Sequence, residues 1–134
     1  GLGDVYKRQL RYSLIRLFDS IRTMAFSEAS VIISTMRAYK HPDPQDFVLE
    51  RILYALSDPV RMEIVRRLAE VTEATCGELD GGRPKSSMSH HFRVLRDAGL
   101  VQTRSVGTTH MNSLRSDALD GRYPGLIGAI LSHR

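Results

Sequence analysis

One stretch of this chain leaves little freedom in how it folds. Between Gly81-Gly82 and Gly99 lies a glycine-free run opened by Pro84, in which Met88, Phe92 and Leu95 recur at spacings of four and three residues. Glycine ends helices and proline suits their first turn, so the run predicts a helix over about 85–97 with a narrow apolar stripe. Its other side carries Lys85, Ser86, Ser87, Ser89, His90 and Arg93. A helix that is greasy on one side and cationic and hydroxyl-bearing on the other buries the first and offers the second to a polar partner.

The flanking text predicts the company this helix keeps. His41-Pro42-Asp43-Pro44 is a breaker cluster. Asp43 can cap a helix over about 45–56 with Pro44 at its start, and Phe47, Leu49, Ile52, Leu53 and Leu56 supply its apolar face. Ser57-Asp58-Pro59 repeats the signal and opens a helix over about 59–71, with Ile64, Val65, Leu68 and Val71 inward and Arg61, Glu63, Arg66 and Arg67 outward. Thr75-Cys76-Gly77-Glu78 has capping-box spacing, so a short helix starts at Thr75 and stops at Gly81-Gly82. After Gly99, Leu100 to Arg104 reads as a strand, Ser105 to Thr108 as a turn, and Thr109 to Leu114 as the returning strand. A last helix over about 117–132 carries Tyr123, Leu126, Ile127, Ile130 and Leu131 on one face. The expected fold is mainly α with a small β-hairpin wing, a winged helix-turn-helix.

A length of 134 residues suits one domain with an appendage. The domain is expected at 41–134 and an N-terminal extension at 1–40. Asp4 to Gln9 resembles a translated sequencing-library adapter, which would put the natural start at Met36. The rival reading is a genuine arm, because Leu10, Leu14, Leu17, Phe18, Ile21 and Met24 fall on a helical stripe. The single cysteine, Cys76, excludes an intrachain disulfide, and no apolar run approaches the roughly 20 residues of a membrane span. A cytoplasmic protein without a membrane partner is expected.

The charge is concentrated. Residues 83–110 hold Arg83, Lys85, Arg93, Arg96 and Arg104 against Asp97, a surplus equal to the +4 of the whole chain. A short helix, a glycine-containing turn and a second helix make a helix-turn-helix, whose second helix fits a major groove about 12 Å wide. Short hydroxyls allow close approach to the duplex, while Lys85 and Arg93 can reach phosphates or guanine acceptors.

Leu56-Ser57-Asp58-Pro59-Val60-Arg61 and the run from Ser86 to Val101, with Ser89-His90-His91-Phe92-Arg93-Val94-Leu95-Arg96-Asp97-Ala98-Gly99-Leu100 at its heart, resemble the arsenical-resistance-repressor (ArsR) family of winged-helix regulators. The resemblance covers about residues 46–131. It implies that Ser86, Ser87, Ser89, His90 and Arg93 face operator DNA and that Arg104, Thr108 and Thr109 lie along the minor groove or backbone. It also implies a homodimer in which Leu49, Ile52 and Leu53 pack near Leu126, Ile127 and Ile130. The expected activity is that of a dimeric repressor on an imperfect palindrome of double-stranded DNA. The third helix cut short at Gly81-Gly82, and Ser105, Val106 and Thr109 in place of basic wing residues, depart from the family pattern.

Other chemistries find little support. Metal-sensing relatives use Cys-x-Cys in the third helix or Asp and His ligands on the last. Here Cys76 stands alone, and Asp117, Asp120 and His133 lack that spacing, so no metal or cofactor is expected. His90 and His91 are adjacent and point apart, and His91 is expected to pack beside Phe92. No nucleophile–base set or phosphate loop is visible, so no catalytic residue is expected. The alternative to a DNA regulator is a winged-helix protein-interaction module. The sequence names no effector.

Overall fold

The computed structural model describes residues 39–133. Of the extension expected at 1–40, residues 1–38, with the adapter-like start and the helical stripe, lie outside the described residues.

The described chain opens on a 3-10 turn, Pro44–Asp46, followed by helices α1 (Leu49–Leu56) and α2 (Pro59–Glu70). A two-residue strand β1 (Ala74–Thr75) leads into α3 (Cys76–Leu79) and α4 (Lys85–Asp97). The hairpin β2 (Val101–Val106) and β3 (Thr109–Leu114) precedes α5 (Ser116–Arg122) and α6 (Leu126–Ser132). The sheet is antiparallel in the order β1-β3-β2. These elements give the winged helix-turn-helix expected from the sequence.

The helix bounds follow from local chemistry. The Asp58 carboxylate accepts from the amides of Val60 (2.8 Å) and Arg61 (3.1 Å), which satisfies two unpaired donors at the start of α2. Burial opposes ionisation of Asp58, but those amide bonds and the nearby charges of Arg61 and His91 outweigh it and hold its pKa low. The capping box at α3 forms in full: the Thr75 hydroxyl accepts from the Glu78 amide, and the Glu78 carboxylate accepts from the Thr75 amide. The helix α4 ends in a Schellman closure, with the Leu100 amide on the Leu95 carbonyl and the Gly99 amide on that of Arg96, both at 3.0 Å. Gly99 sits at φ +86°, packed directly under the Phe47 ring. Gly107 at φ +61° starts the hairpin turn, so the strands run to Val106 and the turn is shorter than expected.

Four expectations change. The helix expected from 45 begins at Leu49, because Phe47 and Val48 are extended and Phe47 turns inward to be buried. The helix expected over 117–132 is two helices. Proline disfavours an α conformation at Tyr123, which takes φ −132°, and Gly125 enters the left-handed region at φ +78°. Val71 falls outside α2, in an extended and exposed position. Arg61, expected outside, is only 5% exposed.

The core gathers Ile52, Ile64, Leu68, Leu95, Leu100 and Leu119 from α1, α2, α4, the start of the hairpin and α5. The wing buries two polar residues, Thr103 and Asn112, and Asn112 has no exposed surface. Asn112 is fully satisfied. Its carbonyl oxygen accepts from the Thr103 hydroxyl (2.7 Å), and its amide group donates to the Ala74 carbonyl (3.4 Å) and to Cys76 Sγ (3.2 Å). Each polar atom of that amide thus has a partner, as burial requires. Cys76 is thereby a half-buried packing residue that receives a hydrogen bond.

Candidate nucleic-acid interface

Lys85, Ser86, Ser87, Ser89, His90 and Arg93 are all exposed along α4, while Met88, Phe92 and Leu95 are buried on its opposite face. The stripe read from the sequence therefore sets the helix orientation. No ion pair among the described residues engages Lys85 or Arg93. Ser87 donates its hydroxyl proton to the Pro84 carbonyl (2.9 Å). His91 is half-buried, with Nδ1 3.4 Å from an Arg61 nitrogen and 3.9 Å from the Asp58 carboxylate, so it ties α4 to the α1–α2 junction.

The +4 surplus counted over 83–110 is not a +4 surface. Arg83 reaches the Glu63 carboxylate at 2.8 Å. Arg104 makes a two-pronged pair with Glu73 at 2.9 and 2.6 Å. That pairing lowers the Glu73 pKa, chiefly through the guanidinium hydrogen bond. Arg96 lies half-buried with its guanidinium 4.4 Å from the centre of the Tyr39 ring. Lys85 and Arg93 are the exposed cations of α4 without an ion-pair partner among the described residues. On the wing, Thr108 and Thr109 are exposed at the tip beside His110, and Arg104, expected to meet a duplex, is already held by Glu73.

The residues expected at a dimer seam divide. Leu49 and Leu53 are exposed on α1, Leu53 at 47%, and Tyr54 beside them at 62%. Ile52 does not join them, because it is fully enclosed in the core of its own chain. On α6, Ile127 is buried while Leu126 and Ile130 pack half-buried against the same core.

Tyr39, Lys40, His41 and Pro42 form a strap against the wing, whereas the sequence marks His41 and Pro42 only as part of a breaker cluster. The Thr103 amide donates to His41 Nε2 (2.9 Å), the Tyr39 hydroxyl sits 3.3 Å from His110 Nδ1, and Arg115 donates to the Pro42 carbonyl (2.8 Å). An aromatic residue and a histidine two positions apart before a proline were the only signal. Burial first, then the charges of Arg115 and Arg96, pull the His41 pKa below its ordinary 6.5, against a smaller opposite pull from the Tyr39 backbone. The unfolded chain therefore takes up this proton more readily than the folded one. The contribution of His41 to stability is complete above about pH 6.5 and is lost as pH falls through the folded pKa. Melting temperature is expected to drop from pH 7 to pH 5, and His41→Gln, which keeps an acceptor, to flatten that slope. An unchanged slope in the variant would refute the assignment.

The arrangement defines a class: a helix-turn-helix transcriptional regulator with a β-hairpin wing. A family profile described as a helix-turn-helix domain matches residues 56–104. The HTH-type transcriptional regulator YceK of Bacillus subtilis is 38% identical over 85 residues, which span 61% of this chain and 85% of that protein. The arsenical resistance operon repressor of Staphylococcus xylosus is 38% identical over 73 residues, covering 54% of this chain and 70% of the repressor. Among solved structures, an ArsR family transcriptional regulator superposes with a TM-score of 0.51 at 26% identity, covering 63% of this chain and 88% of its own. The transcriptional repressor BigR from Xylella fastidiosa gives 0.50 at 30% identity, covering 63% and 83%. The chain belongs to the ArsR family of transcriptional regulators. Among the described residues, no helix is long and apolar enough to cross a membrane, and no group of three or more potential ligands is placed to hold a metal ion.

Proposed function

We propose that the chain is a homodimeric repressor whose helix α4 enters the major groove of operator DNA. The carrying observation is the exposed face of α4, where Lys85 and Arg93 keep their charge unpaired among the described residues, flanked by Ser86, Ser87, Ser89 and His90. Thr108 and Thr109 at the wing tip follow the adjacent backbone or minor groove. Arg104 joins them only where a phosphate outcompetes Glu73. Two copies paired through the exposed Leu49 and Leu53 and the α6 residues Leu126 and Ile130 would set their α4 helices in successive major grooves, about 34 Å apart, on an imperfect palindrome. Such a protein works in the cytoplasm, beside the DNA.

Selection of bound sequences from random duplexes supplies the test. Arg93→Ala is expected to weaken the selected duplex about tenfold, and to reduce the slope of log affinity against log salt by about 0.9 if the contact is to phosphate. Loss confined to one base position would assign Arg93 to base reading instead. Equal binding by the variant would remove Arg93 from the interface, and failure to select any duplex would leave the winged-helix interaction module as the reading.

A further inference from the structure

Between α3, the first turns of α4 and the wing tip lies a cavity of about 420 Å³. That is within the range of about 300–1,000 Å³ in which small molecules are held. Met88 and Phe92 supply apolar walls, and Gly77 contributes backbone without a side chain. The polar groups around them are mostly donors: Lys85, Arg96, Ser89, Thr108 and the hydroxyl of Tyr39, with His110 able to donate or accept. Asp80 is the one carboxylate in the lining, and its Oδ1 is occupied by the Gly82 amide at 2.8 Å.

Arg96 is the telling residue. It is half-buried, and among the described residues no carboxylate stands within 4.0 Å of it. Its neighbours are the Tyr39 ring and the Thr103 hydroxyl at 3.4 Å. Desolvation is the leading influence on its pKa and pulls it down. A partly desolvated cation without a counter-ion gains from an anion that arrives with its own apolar part.

We infer that this cavity binds a small carboxylate with an apolar, aromatic-sized tail. The carboxylate meets Arg96, and the tail lies on Met88 and Phe92, toward Lys85 at the far end of the lining. Lys85 and Ser89 line the cavity and also stand on the exposed face of α4. Occupancy therefore weakens duplex binding, a consequence that rests on the operator reading above; ligand binding itself does not depend on that reading.

Phenylacetate is a suitable probe, with phenylacetamide as its uncharged twin. Titrated into the full chain without DNA, phenylacetate is expected to bind with a Kd of about 1 mM. At tenfold excess over that value it raises the melting temperature by about 7 °C. It also moves the amide resonances of Gly77 and Ser89, while phenylacetamide does neither. Gly77→Leu is the occluding variant: Gly77 lines the cavity, its φ is not positive, and a Cβ there meets nothing within 4 Å, so the added side chain starts without a clash. That variant should keep its own melting temperature and lose the response. No response in the parent chain, an equal response to the amide, or an undiminished response in Gly77→Leu overturns the site. With the selected duplex present, the same excess of phenylacetate lowers DNA affinity about tenfold in the parent and not in Gly77→Leu. Unchanged affinity overturns the coupling alone. Failure to select any duplex overturns the operator reading and leaves the ligand measurement intact.

Discussion

Gly99→Ala is expected to lower the melting temperature of the domain by about 15 °C. Two costs combine at this position. The first is conformational: φ is +86° at Gly99, where a side chain costs about 1–2 kcal/mol. The second is steric, because an added Cβ would press on Phe47 Cε1 and lie 2.7 Å from Cδ1. The Phe47 ring is itself buried, so it moves only by disturbing its neighbours, at about 1–3 kcal/mol. Together these give about 3 kcal/mol, and each kcal/mol shifts a domain of this size by about 4–8 °C. Gly77→Ala is the control, since it has open space and an ordinary backbone. Calorimetry of the two variants checks the claim. A loss of only a few degrees at Gly99 would mean that the Phe47 ring is not fixed as described.

Arg61→Ala is expected to cost about 3 kcal/mol, measured by urea unfolding. The guanidinium closes the C-terminal end of α1, donating to the carbonyls of Ala55 (2.7 Å) and Tyr54 (3.2 Å). It lies 5.3 Å from the centre of the Tyr54 ring and approaches Asp58 and His91. Alanine removes these bonds and leaves the Ala55 carbonyl without a side-chain donor in a buried place. The Tyr54 carbonyl keeps the Ser57 hydroxyl at 2.6 Å, which limits the damage. Arg61→Lys should recover less than half of the loss, because an ammonium group cannot span both carbonyls in the plane that the guanidinium occupies. An alanine variant within about 1 kcal/mol of the parent would show that the buried fork adds nothing net. Because the same group touches His91 on α4, His91 resonances should move in both variants.

These residues mark what the sequence discloses and what it conceals. The bounds of α4 were legible as Lys85–Asp97, because glycine stops on both sides and an apolar stripe act within a few residues of one another. The capping box at Thr75 was legible for the same local reason. Arg61 was misread because its polarity marks a surface position, and only the junction of α1 and α2 supplies the carbonyls that draw it inward. Ile52 follows the same helical stripe as Leu49 and Leu53, yet it points into the core while they do not. The buried face of α1 is centred on Ile52, Ala55 and Leu56, which leaves Leu49 and Leu53 at its exposed edge. The break at Tyr123-Pro124-Gly125 was written in the sequence and overridden by an apolar periodicity that continued across it. The pairs Arg104–Glu73 and Arg83–Glu63 were invisible, because 31 and 20 residues separate their members. The exposed face of α4 was thus readable locally, whereas the number of its cations left unpaired was set by tertiary partners.

The His41 strap has a consequence for how the molecule keeps to itself. The order β1-β3-β2 leaves β2 as an outer strand with a row of unpaired backbone groups, a template on which a stray strand can zip up. At the centre of that rim the Thr103 amide is already plugged by an imidazole rather than by a peptide. Any intruder must evict the ring before it can lengthen the sheet, so the wing stays a wing and the protein resists growth into ribbons.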